Sequence, residues 1–313
     1  MENTNIRYKG RFGQTFIYLG KLFRMFIFQN DWKVLPMAAI IAGMVSIAIG
    51  NGLFTTMEGT LQGTLALSCV CIWNGFFNSI QSVCRERAIL KREHRAGLHI
   101  TSYVMAHLIY QFFLCAMQTG LTITVCAMAG VKYQKTGLIF GDFRVDLFIT
   151  LFLITYAADV LALMISALVH STTSAMTVMP FMLIVQLVFA GFFGLPDSLS
   201  DVSSLMISKW GLQGLCALGH YNDLPAVVIW HKMRAAGDMD LGGIMTLGDA
   251  MDLIEKEGLR DELTAKLGQA SRNELYVSTQ ENLFTCWGYL FLFVIIFAFV
   301  TVVCLEFIDR DRR

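Results

Sequence analysis

Six apolar stretches, each about the 20 residues a helix needs to cross a bilayer, constrain this chain more than any other feature. They cover residues 34–54, 64–83, 103–129, 147–169, 175–194 and 284–307. The sequence is 55% hydrophobic and 15% charged, whereas a soluble domain usually carries about 25% charge. Hydrocarbon offers no partner for backbone polar groups, so the expected fold is an all-α polytopic membrane protein with six transmembrane helices. Net charge is zero, which excludes a global basic field for nucleic acid. No cleavable signal peptide is evident.

Orientation follows from Lys and Arg in the short connections. Arg7, Lys9, Arg11, Lys21, Arg24 and Lys33 precede the first run. Arg85, Arg87, Lys91, Arg92 and Arg95 separate the second and third, and Arg310, Arg312 and Arg313 follow the last. All three clusters fall on one side, so both termini are expected to be cytoplasmic in a plasma membrane. Lys132, Lys135 and Arg144 dissent on the outer side, beside Asp142 and Asp146.

The chain divides accordingly. Residues 1–33 form a cytoplasmic and interfacial segment, with Phe12, Phe16, Leu19, Phe23 and Phe26 spaced as in an amphipathic helix and Asp31-Trp32-Lys33 marking a break. Residues 34–194 hold the first five spans, 195–283 a long outer loop, 284–307 the sixth span and 308–313 a cytoplasmic tail. The outer loop opens with apolar pieces too short to cross, which could dip back as a re-entrant segment. Residues 231–282 read as a soluble cap with six Lys/Arg against ten Asp/Glu. The eight cysteines show no zinc spacing, and Cys69-x-Cys71 is too tight for one. Most read as small apolar packing residues; Cys216 and Cys286 could pair.

The densest charge, RERAILKREHRAGLH over residues 85–99, sits between two apolar runs. Helical spacing and Gly97 as a stop make it a short charged helix under the membrane. It is either a positive-inside anchor or a docking helix for a cytoplasmic partner.

Here a resemblance becomes specific. ERAILKREHRAGLHITSYVMAHLIYQ, with Glu86-Arg87, Arg92-Glu93, Gly97 and Tyr103, resembles the connection between spans two and three of the G-type (white and pleiotropic-drug-resistance) exporters, within the type-2 ABC permeases. FAGFFGLPDSL, with its small-residue turn, is similar to the end of their fifth span. The resemblance implies a coupling helix contacting a nucleotide-binding domain through Arg85, Glu86, Arg87, Lys91, Arg92, Glu93, Arg95 and Gly97. It implies a second contact at Ser171 and Thr172 in the turn 170–174. It also implies a cavity between spans two and five of paired subunits, giving Asn74, Phe77, Asn78, Met182 and Gln186 as candidates, with Phe192 and Phe193 as an outer gate. Hydrogen bonding within one subunit is the alternative for these amides.

No G-x-x-x-x-G-K-[ST] or LSGG-like segment occurs. The expected arrangement is therefore an ABC ATP-binding subunit in a separate chain, which suggests a bacterial system. ATP and magnesium would sit on that partner, with no catalytic residue, cofactor or metal on this chain. A homodimer, or a heterodimer with a related permease, would frame the pathway, and an amphiphilic or lipid-like substrate would suit it. Two other readings are an ion- or proton-coupled carrier using Asp159, and a membrane sensor with a ligand-binding cap. Against the first, Ala158, Ala162 and Ser166 form a small-residue ladder that favours close packing, with His107, Gln111 or Tyr156 as partners for Asp159.

Overall fold

The computed structural model describes residues 10–28, 31–192, 201–239 and 245–307. Twelve α-helices occur among them: α1 (Arg11–Phe28), α2 (Val34–Ile49), α3 (Met57–Ser79), α4 (Ser82–Arg95), α5 (Ile100–Met128), α6 (Phe143–Leu168), α7 (Thr172–Val188), α8 (Ile207–Leu218), α9 (Val228–Ala235), α10 (Leu247–Lys256), α11 (Arg260–Ala270) and α12 (Gln280–Glu306). No strand occurs among the described residues. Five helical stretches are long and apolar enough to cross a membrane: Asp31–Ile49, Met57–Arg95, Ile100–Met128, Phe143–Leu168 and Gln280–Glu306. The expected fifth run gives a shorter apolar helix, α7. Its expected extension is stopped by the turn at Gly191, where φ is +87°, and then runs into residues outside those described.

Several helices begin earlier than the apolar runs because a polar side chain caps them. Thr56 accepts from Gly59 N–H at 3.2 Å, so α3 starts at Met57 rather than near residue 64. Asp142 accepts from Arg144 N–H at 2.9 Å ahead of α6, and Thr279 from Asn282 N–H at 3.3 Å ahead of α12. The second run also does not stay one helix to residue 83, because α3 ends at Ser79 and α4 begins at Ser82.

The bundle is organised around α3 and α6. Their most apolar windows are 72% and 67% buried, against 17% for α2 and 28% for α12. In lipid, helices associate by close packing rather than by expulsion of water. Ala158, Ala162 and Ser166 are all fully buried on α6. Opposite them, a Cβ on Gly75 would sit 2.7 Å from the Asp159 backbone nitrogen and 2.9 Å from the Ala158 Cβ. The large apolar side chains left exposed, such as Ile40, Ile47, Phe181 and Phe299, are those a hydrocarbon environment would cover.

α8 lies inside the bundle: eleven of its twelve residues are buried. At about 18 Å it is too short to cross. Gly211 and Gly214 let it approach Ile154 of α6 and Cys286 of α12 closely. Gln213 donates to Asn282 at 2.8 Å, and Trp210 stacks on Tyr289 at 3.9 Å. Cys216 and Cys286 are free thiols, and Cys216 lies 3.2 Å from the Thr64 hydroxyl instead.

Beyond the N-terminal end of α3, helices α9 to α11 form the cap. Arg234 pairs with Asp252 at 3.2 Å and Glu255 at 2.6 Å, and Arg260 with Glu255 at 3.5 Å. Met57 N–H donates to Pro225 O at 3.0 Å and Val227 N–H to Glu58 at 3.2 Å, tying cap to bundle. A small core of Met57, Leu212, Cys216, Tyr221 and Tyr276 fills the junction, and burial pushes the Tyr276 phenol above its ordinary range. The cap and α4 thus sit at opposite ends of α3, about 33 Å apart along its axis.

Candidate functional site

The first four N–H groups of a helix lack intrahelical partners. In α4 two of them, on Val83 and Cys84, are satisfied from another helix: the Ser166 hydroxyl of α6 accepts both, at 3.1 and 3.2 Å. The exchange is mutual. Arg87 of α4 donates to the Ala167 and Val169 carbonyls at 2.9 and 3.2 Å, closing the C-terminus of α6 with a cation, where the helix dipole favours one. The Cys84 thiol adds contacts to the Ser166 and Val169 carbonyls at 3.0 and 3.3 Å.

The other flank of α4 is held by α1. Glu86 is 7% exposed and pairs with Lys21 at 3.3 Å, while Lys21 also lies over the Tyr18 ring. Tyr18 meets Tyr103 edge to face, and with Leu22, Val83, Leu90 and Leu163 these residues form a core separate from that of the main bundle. At its far end α4 stops at Gly97, φ +102°, with Leu98 N–H bonded to Glu93 O and Gly97 N–H to His94 O, both 3.0 Å. Only a residue tolerant of positive φ closes a helix this way. Gln14 of α1 then clamps the turn, donating to Gly97 O at 3.2 Å and accepting from His99 N–H at 2.9 Å.

This anchorage sorts the expected coupling residues. Glu86 and Arg87 are tied within the chain, Glu86 to Lys21 and Arg87 to the end of α6. Arg85, Arg92 and Arg95 lie on the exposed face, with Arg85 4.0 Å from Asp31. Lys91 and Glu93 are half-buried, and one Glu93 carboxylate oxygen is buried without a hydrogen bond. Ile89 is 41% exposed between Arg85 and Arg92; in sequence, the apolar run Ala88, Ile89 and Leu90 does not reveal which residue faces out. The α6–α7 turn lies alongside α4 through Arg87. There Ser171 caps α7 by accepting from Ser174 N–H at 3.1 Å, with Thr172 as its first residue.

The expected cavity residues do not converge within one chain. Asn74, 4% exposed, and Phe77 line a small groove of about 60 Å³ between α2 and α3. Asn78 forms a reciprocal amide pair with Gln118 at 2.8 and 3.0 Å. Gln186 is 3% exposed and accepts from Ser208 N–H at 3.1 Å, capping α8. Met182 packs on the main core. For Asn78 and Gln186, hydrogen bonding inside one subunit is what the structure contains. Phe192 packs at the junction beneath the cap; Phe193 lies outside the described residues.

Asp159 is fully buried. It accepts from Ser79 and from the Cys115 thiol at 3.1 Å, with Asn78 at 3.5 Å, and Gln111 donates to Ser79. Of the three expected partners only Gln111 belongs to this cluster, one residue removed from the carboxylate. Tyr156 instead donates to Leu108 O at 3.2 Å. The cluster joins α3, α5 and α6. Among the described residues no group of three His, Cys, Asp or Glu could hold a metal.

A bundle of apolar helices with a short buried helix inside it and a charged helix tied to one end is the architecture of a multi-helix membrane component. The family described as "ABC-2 type transporter" matches residues 14–218, from α1 to the end of α8. The chain belongs to that family, as the residues around Glu86 to Tyr103 led one to expect. A curated relative, the ABC transporter ATP-binding/permease protein Rv1747 of Mycobacterium tuberculosis (strain ATCC 25618 / H37Rv), is 24% identical over 218 residues, 66% of this chain. The chain spans 25% of that relative's length. The cap helices α9 to α11 fall beyond the family match.

Proposed function

We propose that the chain is the membrane subunit of an ATP-driven exporter, with α4 receiving the stroke of an ATP-binding partner. The observation that carries this reading is the mutual capping of α4 and α6 together with the Lys21–Glu86 tie to α1. A helix serving only as a charged anchor needs no such fixation, whereas one that transmits force does. Its exposed strip of Arg85, Ile89 and Arg92 would meet the partner, with Ser171 and Thr172 as a second point. ATP and magnesium belong to that partner, and this chain contributes no covalent chemistry. An ATPase can drive transport only if its two states bind the permease's two conformations differently.

In this reading α7 is the fifth of six spans, both termini and α4 are cytoplasmic in a plasma membrane, and α8 is re-entrant from the outer side beneath the cap. Two copies, or this chain and a related permease, pair so that Asn74, Phe77 and Met182 border the pathway, with Phe192 and Phe193 near its outer end. The substrate is an amphiphile or lipid. The relative's name, which joins ATP-binding and permease functions, supports the coupling to ATP hydrolysis. The test is co-purification of an ATP-binding protein with the wild-type chain and its loss with Ile89→Asp or Arg92→Glu. Retention of the partner and of substrate-stimulated ATPase by both variants would remove the reading.

A further inference from the structure

A cavity of about 290 Å³ opens where α1, the start of α2, the α3–α4 break and α5 meet, at the α4 end of the bundle. It is near the lower limit for small-molecule sites. Its walls are of two kinds. Leu22, Met25, Val34, Phe77, Leu114 and Met176 are apolar. The polar part includes Asp31, Gln81, Arg85, Glu86, His107 and Tyr110, beside Asn78 and Ser82. His107 is 3% exposed, and its Nε2 has no hydrogen-bond partner. The Gln81 amide, at the N-cap of α4, makes no capping bond, and neither it nor the Tyr110 hydroxyl has a hydrogen bond within the described chain. Tyr110 is nonetheless held in place, its ring edge to face with Phe23 and Phe26 of α1. The buried His107 Nε2 without a partner calls for a ligand, since buried polar groups are normally paired, and the half-buried Gln81 and Tyr110 beside it have free capacity to join.

The charges indicate which. Glu86 is neutralised by Lys21. Arg85 and Asp31 stay half exposed and only loosely joined at 4.0 Å, so both signs are available. A purely anionic headgroup would oppose Asp31, and a purely cationic one would oppose Arg85. A headgroup carrying both a phosphate and an ammonium answers both, with Gln81, His107 and Tyr110 as further hydrogen-bond partners. We infer that this cavity binds the headgroup of a zwitterionic phospholipid, phosphatidylethanolamine in type, with its acyl chains leaving along the apolar wall of α1 and α2. The inference rests on α1 lying at the membrane interface and not on the transport reading.

The test is native mass spectrometry of the purified full chain, without an ATP-binding partner, titrated with equimolar phosphatidylethanolamine and phosphatidylglycerol of matched acyl chains. Phosphatidylethanolamine is retained about tenfold more, the scale set by one or two hydrogen bonds to charged groups. Gln81→Leu and Tyr110→Phe, tested separately, each reduce that preference, and Val34→Trp, which fills the cavity, abolishes it. Free glycerophosphoethanolamine does not displace the lipid at equal concentration. Equal retention of the two lipids, or wild-type preference in Val34→Trp, overturns the inference; so does full displacement by the free headgroup, which would make the ligand soluble. Because the readout is binding to this chain alone, failure of the exporter reading leaves it intact.

Discussion

Removing one hydroxyl from α6 should loosen a different helix. Ser166→Ala takes away the oxygen that accepts from Val83 and Cys84 N–H at 3.1 and 3.2 Å. Both residues are buried, at 0% and 9% exposure, so water cannot readily replace it. Each orphaned donor costs about 1–3 kcal/mol. Even at the low end, two donors give about 2 kcal/mol, because relaxation of the first turn recovers part of the larger figure. No cavity forms, since Ala differs from Ser by one oxygen. A local destabilisation of about 2 kcal/mol accelerates exchange roughly thirtyfold. Hydrogen-exchange mass spectrometry on the chain in nanodiscs should show that acceleration at amides 83 and 84. Amides deep in α3 should keep their protection. Thr301→Val is the control: it also removes a fully buried hydroxyl, but one bonded only to Phe297 O of its own helix at 2.7 Å. Unchanged exchange at 83 and 84 in Ser166→Ala, or the same rise in Thr301→Val, would refute the trans-cap argument.

Other outcomes follow from the same geometry. Lys21→Met leaves Glu86 without its partner; a buried pair so broken costs about 3–5 kcal/mol, and partial exposure of Lys21 brings this toward the low end. Adding Glu86→Gln should recover part of the loss in a thermal-melt cycle, whereas strict additivity would deny the coupling. Gly75→Ala forces α3 away from α6 and should destabilise by about 1–3 kcal/mol, read as a lower melting midpoint; a midpoint equal to wild type would show that the seam can give. In the cap, hydrogen bonds from the Thr246 hydroxyl and backbone hold the Asp249 carboxyl below its usual range. A depressed folded value means that the cap's contribution is present above the unfolded value and is lost as pH falls through the folded one. Protection of amide 249, corrected for intrinsic exchange, should therefore drop on acidification in wild type and be low at all pH values in Asp249→Ala.

What the sequence revealed was local. The break at Asp31–Lys33 between α1 and α2, the helix stop at Gly97 and the small-residue face of α6 are all written in residue type and short spacing. What it concealed was pairing at long range. Ser166 lies more than 80 residues from the amides it caps, and Lys21 lies 65 from Glu86. No periodicity links such partners, so Glu86 and Arg87 read as coupling contacts and their ties to Lys21 and to the end of α6 were not legible. Gln186 read as a polar residue in search of a cavity because its partner Ser208 follows a segment with no regular pattern. The early start of α3 was missed for a simpler reason. Hydropathy marks where the apolar run begins, while the Thr56 cap, eight residues before the expected boundary, decides where the helix does.

The central claim is that the outward face of α4 meets an ATP-binding protein on the cytoplasmic side. Thiol cross-linking in membranes of cells expressing single-cysteine variants tests it most directly. Ile89→Cys, on the 41% exposed face, should give an adduct with an ATP-binding polypeptide that changes when ATP is added, and Leu90→Cys, 1% exposed, should give none. Labelling of Ile89→Cys by a membrane-impermeant reagent applied outside intact cells, with no adduct formed, would contradict the account.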